Sequence, residues 1–148
     1  MVGFTGLFLL LALVCSGSAT AAELANNSAQ ATANQRHKLV LQVTDDDQAK
    51  WNLALNNVKN VQSELGAANV EIEIVAYGPG IGMLKAESVV ANRIGDALKG
   101  HTHVVACENT MAAQKLTAAD MLGGIGYVPS GVVELIKRQR DGWAYLRP

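Results

Sequence analysis

Short runs of β-branched and apolar residues, each followed by an amphipathic stretch, narrow most sharply what this chain can fold into. Lys38-Leu39-Val40-Leu41-Gln42-Val43 reads as a first strand. Trp51, Ala54, Leu55, Val58, Gln62 and Leu65 then recur at spacings of three and four, which predicts a helix. Asp46 or Asp47 suits its N-cap and Gly66 its stop. Val70–Ala76 is a second strand, broken by Tyr77-Gly78-Pro79-Gly80-Ile81-Gly82. A second helix carries Val90, Ile94, Ala97 and Leu98 on one face and ends at Gly100. A third strand reaches Cys107, a short helix covers about 109–115, and Thr117–Asp120 has the pattern of a capping start. Ile125–Val128 is a brief fourth strand. A helix beginning near Pro129 follows, its apolar face formed by Val132, Val133, Leu135 and Ile136 and its wet face by Lys137, Arg138 and Arg140. Gly142–Pro148 closes as a fifth strand.

There is no internal repeat. Strand and helix alternate with crossovers long enough for parallel connections, which makes the chain α/β: three-layer α/β/α with a mostly parallel five-stranded sheet. Ligands of such sheets sit beyond the carboxyl ends of the strands. Four segments should therefore meet at one rim: Thr44–Asp47, Tyr77–Gly82, Cys107–Thr110 and Val128–Gly131.

The first 22 residues carry no charged side chain. They contain the apolar stretch Leu7–Val14 and then small residues that include Ala19-Thr20-Ala21. That order predicts a signal peptide over 1–22, cut near Ala21 or Ala22, since the stretch is too short to span a bilayer. Lipidation at Cys15 is disfavoured because Val14 stands where a small residue is needed. Residues 23–37 are small and polar without periodicity and read as a flexible leader, leaving 38–148 as one domain. All 12 basic and 13 acidic residues follow the signal, so the mature charge is also −1. No basic patch points to nucleic acid, and no second apolar segment points to a membrane after cleavage. The expected location is the periplasm.

Cys107 is the one cysteine of the mature form, so an internal disulfide is excluded. A thiol ending a strand and facing a helix N-terminus has a lowered pKa, and thiolate is the form that attacks or carries sulfur. Against this stands the plainer role of a small buried hydrophobe. Asn109, Thr110, Asp45, Tyr77, Gly78, Gly80 and Gly131 are the candidates to line a ligand at the same rim. Glu108, Asn109 and Thr110 also fit as helix-start residues. Glu108 beside the thiol would raise its pKa, opposing the dipole. Asp45-Asp46-Asp47 reads as a solvated cap rather than a metal site, because adjacent side chains diverge. The Gly78–Gly82 loop follows the second strand, and Pro79 lacks an N–H for phosphate, so a tight turn is the better reading than a dinucleotide loop. His101 and His103 lie at the amino end of the third strand, away from Cys107. No metal and no cofactor is expected. Trp51 and Trp143 are assigned to core or to a subunit interface.

Four segments with the closing strand resemble the DsrE/DsrF-like family of small α/β proteins over about residues 38–148: Trp51–Val58, Val75–Gly80, Ala106–Thr110, Val128–Ile136 and Gly142–Tyr145. In its sulfur-relay members a cysteine between the third strand and its helix carries a persulfide, and Cys107 falls at the matching place. Those members have an Arg-Gly pair soon after the helix begins, where this chain reads Gln114-Lys115-Leu116, and they are cytoplasmic. The resemblance implies a homo-oligomer, for which Trp143 and Tyr145 offer an interface, together with sulfur donor and acceptor proteins. The expected function is an exported sulfur carrier or sulfurtransferase component using Cys107. The alternative is a non-enzymatic periplasmic module that binds a small ligand and keeps an inert Cys107. A reductase or hydrolase is disfavoured, because no catalytic His or second Cys lies near the rim.

Overall fold

The five strands form a single sheet in which every pair of neighbours is parallel, in the order β4-β3-β2-β1-β5. The computed structural model describes residues 36–148; the expected signal peptide and all but the last two residues of the expected leader lie outside it. In chain order the elements are β1 (His37–Val43), α1 (Gln48–Leu65), β2 (Val70–Ala76), α2 (Ala91–Lys99), β3 (Thr102–Cys107), α3 (Glu108–Ala113), β4 (Gly126–Val128), α4 (Gly131–Arg140) and β5 (Ala144–Leu146). Short 3-10 turns occupy Ala67–Asn69, Gly78–Leu84 and Ala118–Asp120.

Strand order explains the layers. Three successive right-handed crossovers march from β1 to β4 in one direction and leave their helices on one face. The return from β4 to β5 runs back across the sheet and so puts α4 on the other. Accordingly Leu41, Ile72, Ile74, Val104 and Ala106 pack with Trp51, Leu55, Val58, Ile94 and Met111 on the first face. Val40, Val75 and Val105 pack with Leu135 and Trp143 on the second. Central strands buried on both sides are rich in β-branched and apolar residues, Leu39–Leu41 in β1 and Ile72, Ile74 and Val75 in β2, which is why both were legible.

Local chemistry sets the element ends. Asp47 caps α1, its Oδ1 accepting from the N–H of Ala49 at 2.8 Å. Gly66 ends α1 at φ +84°, a conformation that suits glycine. Gln62 belongs to the inner face, but its amide donates to Gly100 O at 2.8 Å and to Thr102 Oγ1 at 3.2 Å, tying α1 to the α2–β3 turn. The Thr117/Asp120 capping box forms as expected. Both tryptophans are core residues.

Two expectations for α4 are overturned. Its inner stripe is Gly131, Leu135 and Arg138, while Val132, Val133 and Ile136 are exposed. Arg138 is half-buried and grips Glu73, which is only 1 % exposed, through two hydrogen bonds. Periodicity alone assigned the apolar residues inward; a carboxylate in mid-sheet reversed that choice, because a buried charge needs its partner.

Candidate functional site

β3 and β4 are adjacent strands whose following loops leave toward opposite faces, α3 to the first and α4 to the second. Such a switch point opens a crevice at the carboxyl end of the sheet. Cys107 is the last residue of β3, in register with Val128 at the end of β4. Strand alternation turns its side chain toward the face of Val105, below the first turn of α4.

Cys107 is 4 % exposed, yet its surroundings are polar. Burial alone would push the thiol up. The Thr110 hydroxyl, then the N–H groups of Gly131, Thr110 and Asn109, overcome that and hold it below its ordinary value. These amides come from two helix starts, α3 and α4; one of them was foreseen from sequence. None closes a cap hydrogen bond of strict geometry with Cys107, so they act on the sulfur as oriented dipoles. Glu108 is exposed.

Around the thiol the chain is tied down by backbone contacts. Gly78 N–H donates to Thr110 Oγ1 at 3.0 Å, which leaves the hydroxyl proton free for the sulfur. Gln114 Nε2 donates to Gly78 O at 3.3 Å, and Asn109 N–H donates to Pro129 O at 3.2 Å. A Cβ on Gly131 would lie 2.9 Å from Tyr77 Cδ1, so only glycine lets α4 start this close to the ring. Tyr77 is half-buried. Burial, with Tyr145 and Cys107 nearby, raises its hydroxyl pKa against the pull of Arg147. Tyr145 in turn donates to Gln42 Oε1 at 2.5 Å.

Of the residues singled out from sequence, Cys107, Asn109, Thr110, Tyr77, Gly78 and Gly131 come together. Gly80 is buried against β1: its N–H donates to Thr44 O at 3.0 Å, and a Cβ there would meet Val43 O at 2.4 Å. Asp45 lies just beyond the end of β1, and β2 separates β1 from β3. It pairs with Lys50 at 3.0 Å and Arg147 at 3.5 Å, and its hydrogen bond with Lys50 does most to lower its pKa. Asp47 is the α1 cap, so the acidic triplet is divided between cap and ion pairs. Among the described residues no three of His, Cys, Asp and Glu converge as a metal-binding group. His101 and His103 lie at the far, amino end of β3.

The DsrE/DsrF-like family model matches residues 11–148, nearly the whole chain. The chain belongs to the DsrE/DsrF-like family. That family is sulfur-relay-like in general. No curated protein matches the sequence. Among solved structures, a protein of unknown function from Methanobacterium thermoautotrophicum is 33% identical with a TM-score of 0.72, covering 76% of this chain and 99% of that one. A conserved protein of unknown function from Bacteroides thetaiotaomicron, 17% identical, aligns with a TM-score of 0.62 over 75% of this chain and 94% of that one. The ychN protein from E. coli, 11% identical, aligns with a TM-score of 0.58 over 77% and 99%. The last two speak for the DsrE-like fold alone.

Proposed function

We propose that this DsrE-like protein is an exported sulfur carrier that holds a persulfide on Cys107. The observation that carries the reading is the ring of donors, from Thr110 and two helix starts, that lowers the thiol's pKa in spite of burial. Family membership and the signal-like segment of residues 1–22 support it. In the loading step the Cys107 thiolate attacks the sulfane sulfur of thiosulfate or a polysulfide. A new S–S bond forms as the bond to sulfite, or to the shorter polysulfide, breaks and that group leaves with the electron pair. In the transfer step an acceptor thiolate attacks the outer sulfur and Cys107 departs as thiolate. Both steps are exchanges, so no external oxidant is required.

The same donors that stabilise the thiolate are placed to stabilise the terminal sulfur of a persulfide anion. Incubating the purified protein with thiosulfate or polysulfide and weighing it intact tests the reading. Wild type should gain the mass of one sulfur and Cys107→Ser none; equal gain in both, or none in wild type, defeats it.

A second reading is a ligand-binding module with an inert thiol. It is favoured by the low exposure of Cys107 and by the buried Thr44 Oγ1 at the end of β1, which has no hydrogen-bond partner among the described residues. Rapid alkylation of Cys107 near neutral pH separates carrier from module. The proposal extends to a homo-oligomer, supported by the exposed Val132, Val133 and Ile136 of α4 and by Tyr145 on the edge strand β5.

A further inference from the structure

Glu73 lies at the centre of β2, 1 % exposed, in a sheet face otherwise lined by Val40, Val75 and Val105. Arg138 reaches it from α4, with Nε 3.1 Å from Oε1 and Nη2 2.5 Å from Oε2. The same guanidinium takes Glu134 Oε1 at 2.9 Å and lies 4.6 Å from the centroid of the Trp143 ring. Burying a carboxylate this deep costs more than an apolar residue of the same volume, so fold stability is a poor reason for it. Specifying one arrangement among several is a better one.

The helix above it needs such a device. Of the ten residues of α4, only Gly131 and Leu135 are buried. A single leucine in an apolar cluster limits sliding and rotation weakly, whereas a bidentate ion pair has a defined length and direction. Gly131, Leu135 and Arg138 form one stripe that spans about 10 Å of helix. Its far end is clamped on Glu73, and its near end places the Gly131 N–H over Cys107 and the Gly131 Cα against Tyr77.

We propose that the Glu73–Arg138 pair is a positioning element for Cys107: by fixing α4 along the sheet it keeps the Gly131 amide on the sulfur. This rests on the carrier reading for its purpose but not for its test. Glu73 is in register with His103, four residues before Cys107, which puts it about 13 Å from the thiol along the strand direction. At that distance the direct field of Glu73 on the thiol is weak, and it acts in the opposite sense to positioning. Removing a negative charge lowers a thiol pKa directly, whereas loosening α4 raises it.

The sign therefore decides. The test is a titration of Cys107 by ultraviolet thiolate absorbance in the full chain. Each protein is paired with its Cys107→Ser counterpart, to subtract Cys15 and the tyrosines. Glu73→Leu should move the midpoint upward by about half a pH unit, the worth of one oriented amide. Glu73→Gln, which keeps an acceptor for Arg138 and protects the proposal against a misfolded leucine variant, should move it upward by less. A downward or unchanged midpoint in a variant whose circular dichroism matches wild type overturns the positioning role, even if its melting temperature falls. Failure of wild type to take up sulfur would defeat the carrier reading and leave this sign test standing.

Discussion

The Thr110 hydroxyl accepts from the Gly78 N–H, keeps a proton of its own to donate, and is the side chain that lowers the pKa of Cys107. One side chain thus joins the loop after β2 to the thiol at the end of β3. Thr110→Val keeps the shape and removes both roles. The thiol midpoint should rise by about one to two pH units, as one hydrogen bond to a charged group is lost. The Gly78 N–H would lose its acceptor, and urea denaturation should show a loss of about 1–2 kcal/mol. A valine variant with an unchanged thiol titration would show that the amides alone set the sulfur's acidity. At this scale Cys107 was conspicuous in the sequence as the one mature cysteine, and its neighbours Asn109 and Thr110 came with it. Gly131 was placed at the same rim, but its amide's role as a donor to the sulfur was not legible, because 24 positions separate the two residues and the pairing of β3 with β4 fixes that contact.

Helix α4 shows how an element can be read correctly in extent and wrongly in face. Val132, Val133 and Ile136 outnumber Leu135, so hydrophobic periodicity alone turns them inward. The inward stripe is set instead by Arg138, which must meet Glu73, and by Gly131, which must clear Tyr77. Glu73 sits in a strand whose sequence, Val70–Ala76, marks it as a strand but does not say that one of its glutamates is buried. Burial pushes the Glu73 carboxyl above its ordinary value, the hydrogen bond and charge of Arg138 pulling the other way. Glu134 adds to the rise and His103 opposes it. For Arg138 burial works to lower the pKa, and the Glu73 carboxylate with Glu134 and Glu71 overcomes it. The carboxyl's raised value means the folded chain holds a proton that the unfolded chain has already released. Stability from this group is therefore fully present below the ordinary carboxylate range and is lost as pH rises through the folded value. Glu73→Gln does not titrate, so its stability relative to wild type should improve from mildly acidic to neutral pH in urea denaturation. A pH-independent difference would mean that the Arg138 pairing fully offsets the desolvation.

For the whole molecule, the topology leaves one face with a single helix. The α4 residues Val132, Val133 and Ile136 are 49%, 47% and 52% exposed and lie together on its outer side. They are already half covered, so burying the rest against a second copy would contribute about 1 kcal/mol each. Wild type should therefore run as an oligomer by light scattering, and Val133→Lys with Ile136→Lys should reduce it toward the mass of one chain. A monomeric wild type would refute self-association at this patch. Residues 36–148 keep their core on both sides of the sheet, so the double variant should remain folded.

By itself the sequence determined the alternation of elements, the parallel sheet and the rim where the loops collect, since these follow from local periodicity, caps and turn residues acting within a few positions of one another. It also singled out the sulfur. Tertiary structure alone decided which face α4 turns inward, the partnership of Glu73 with Arg138, and the turning of the Gly131 amide onto Cys107. These depend on contacts between residues 24 to 65 positions apart, and nothing in the spacing of neighbouring side chains encodes such a meeting before the strands have paired.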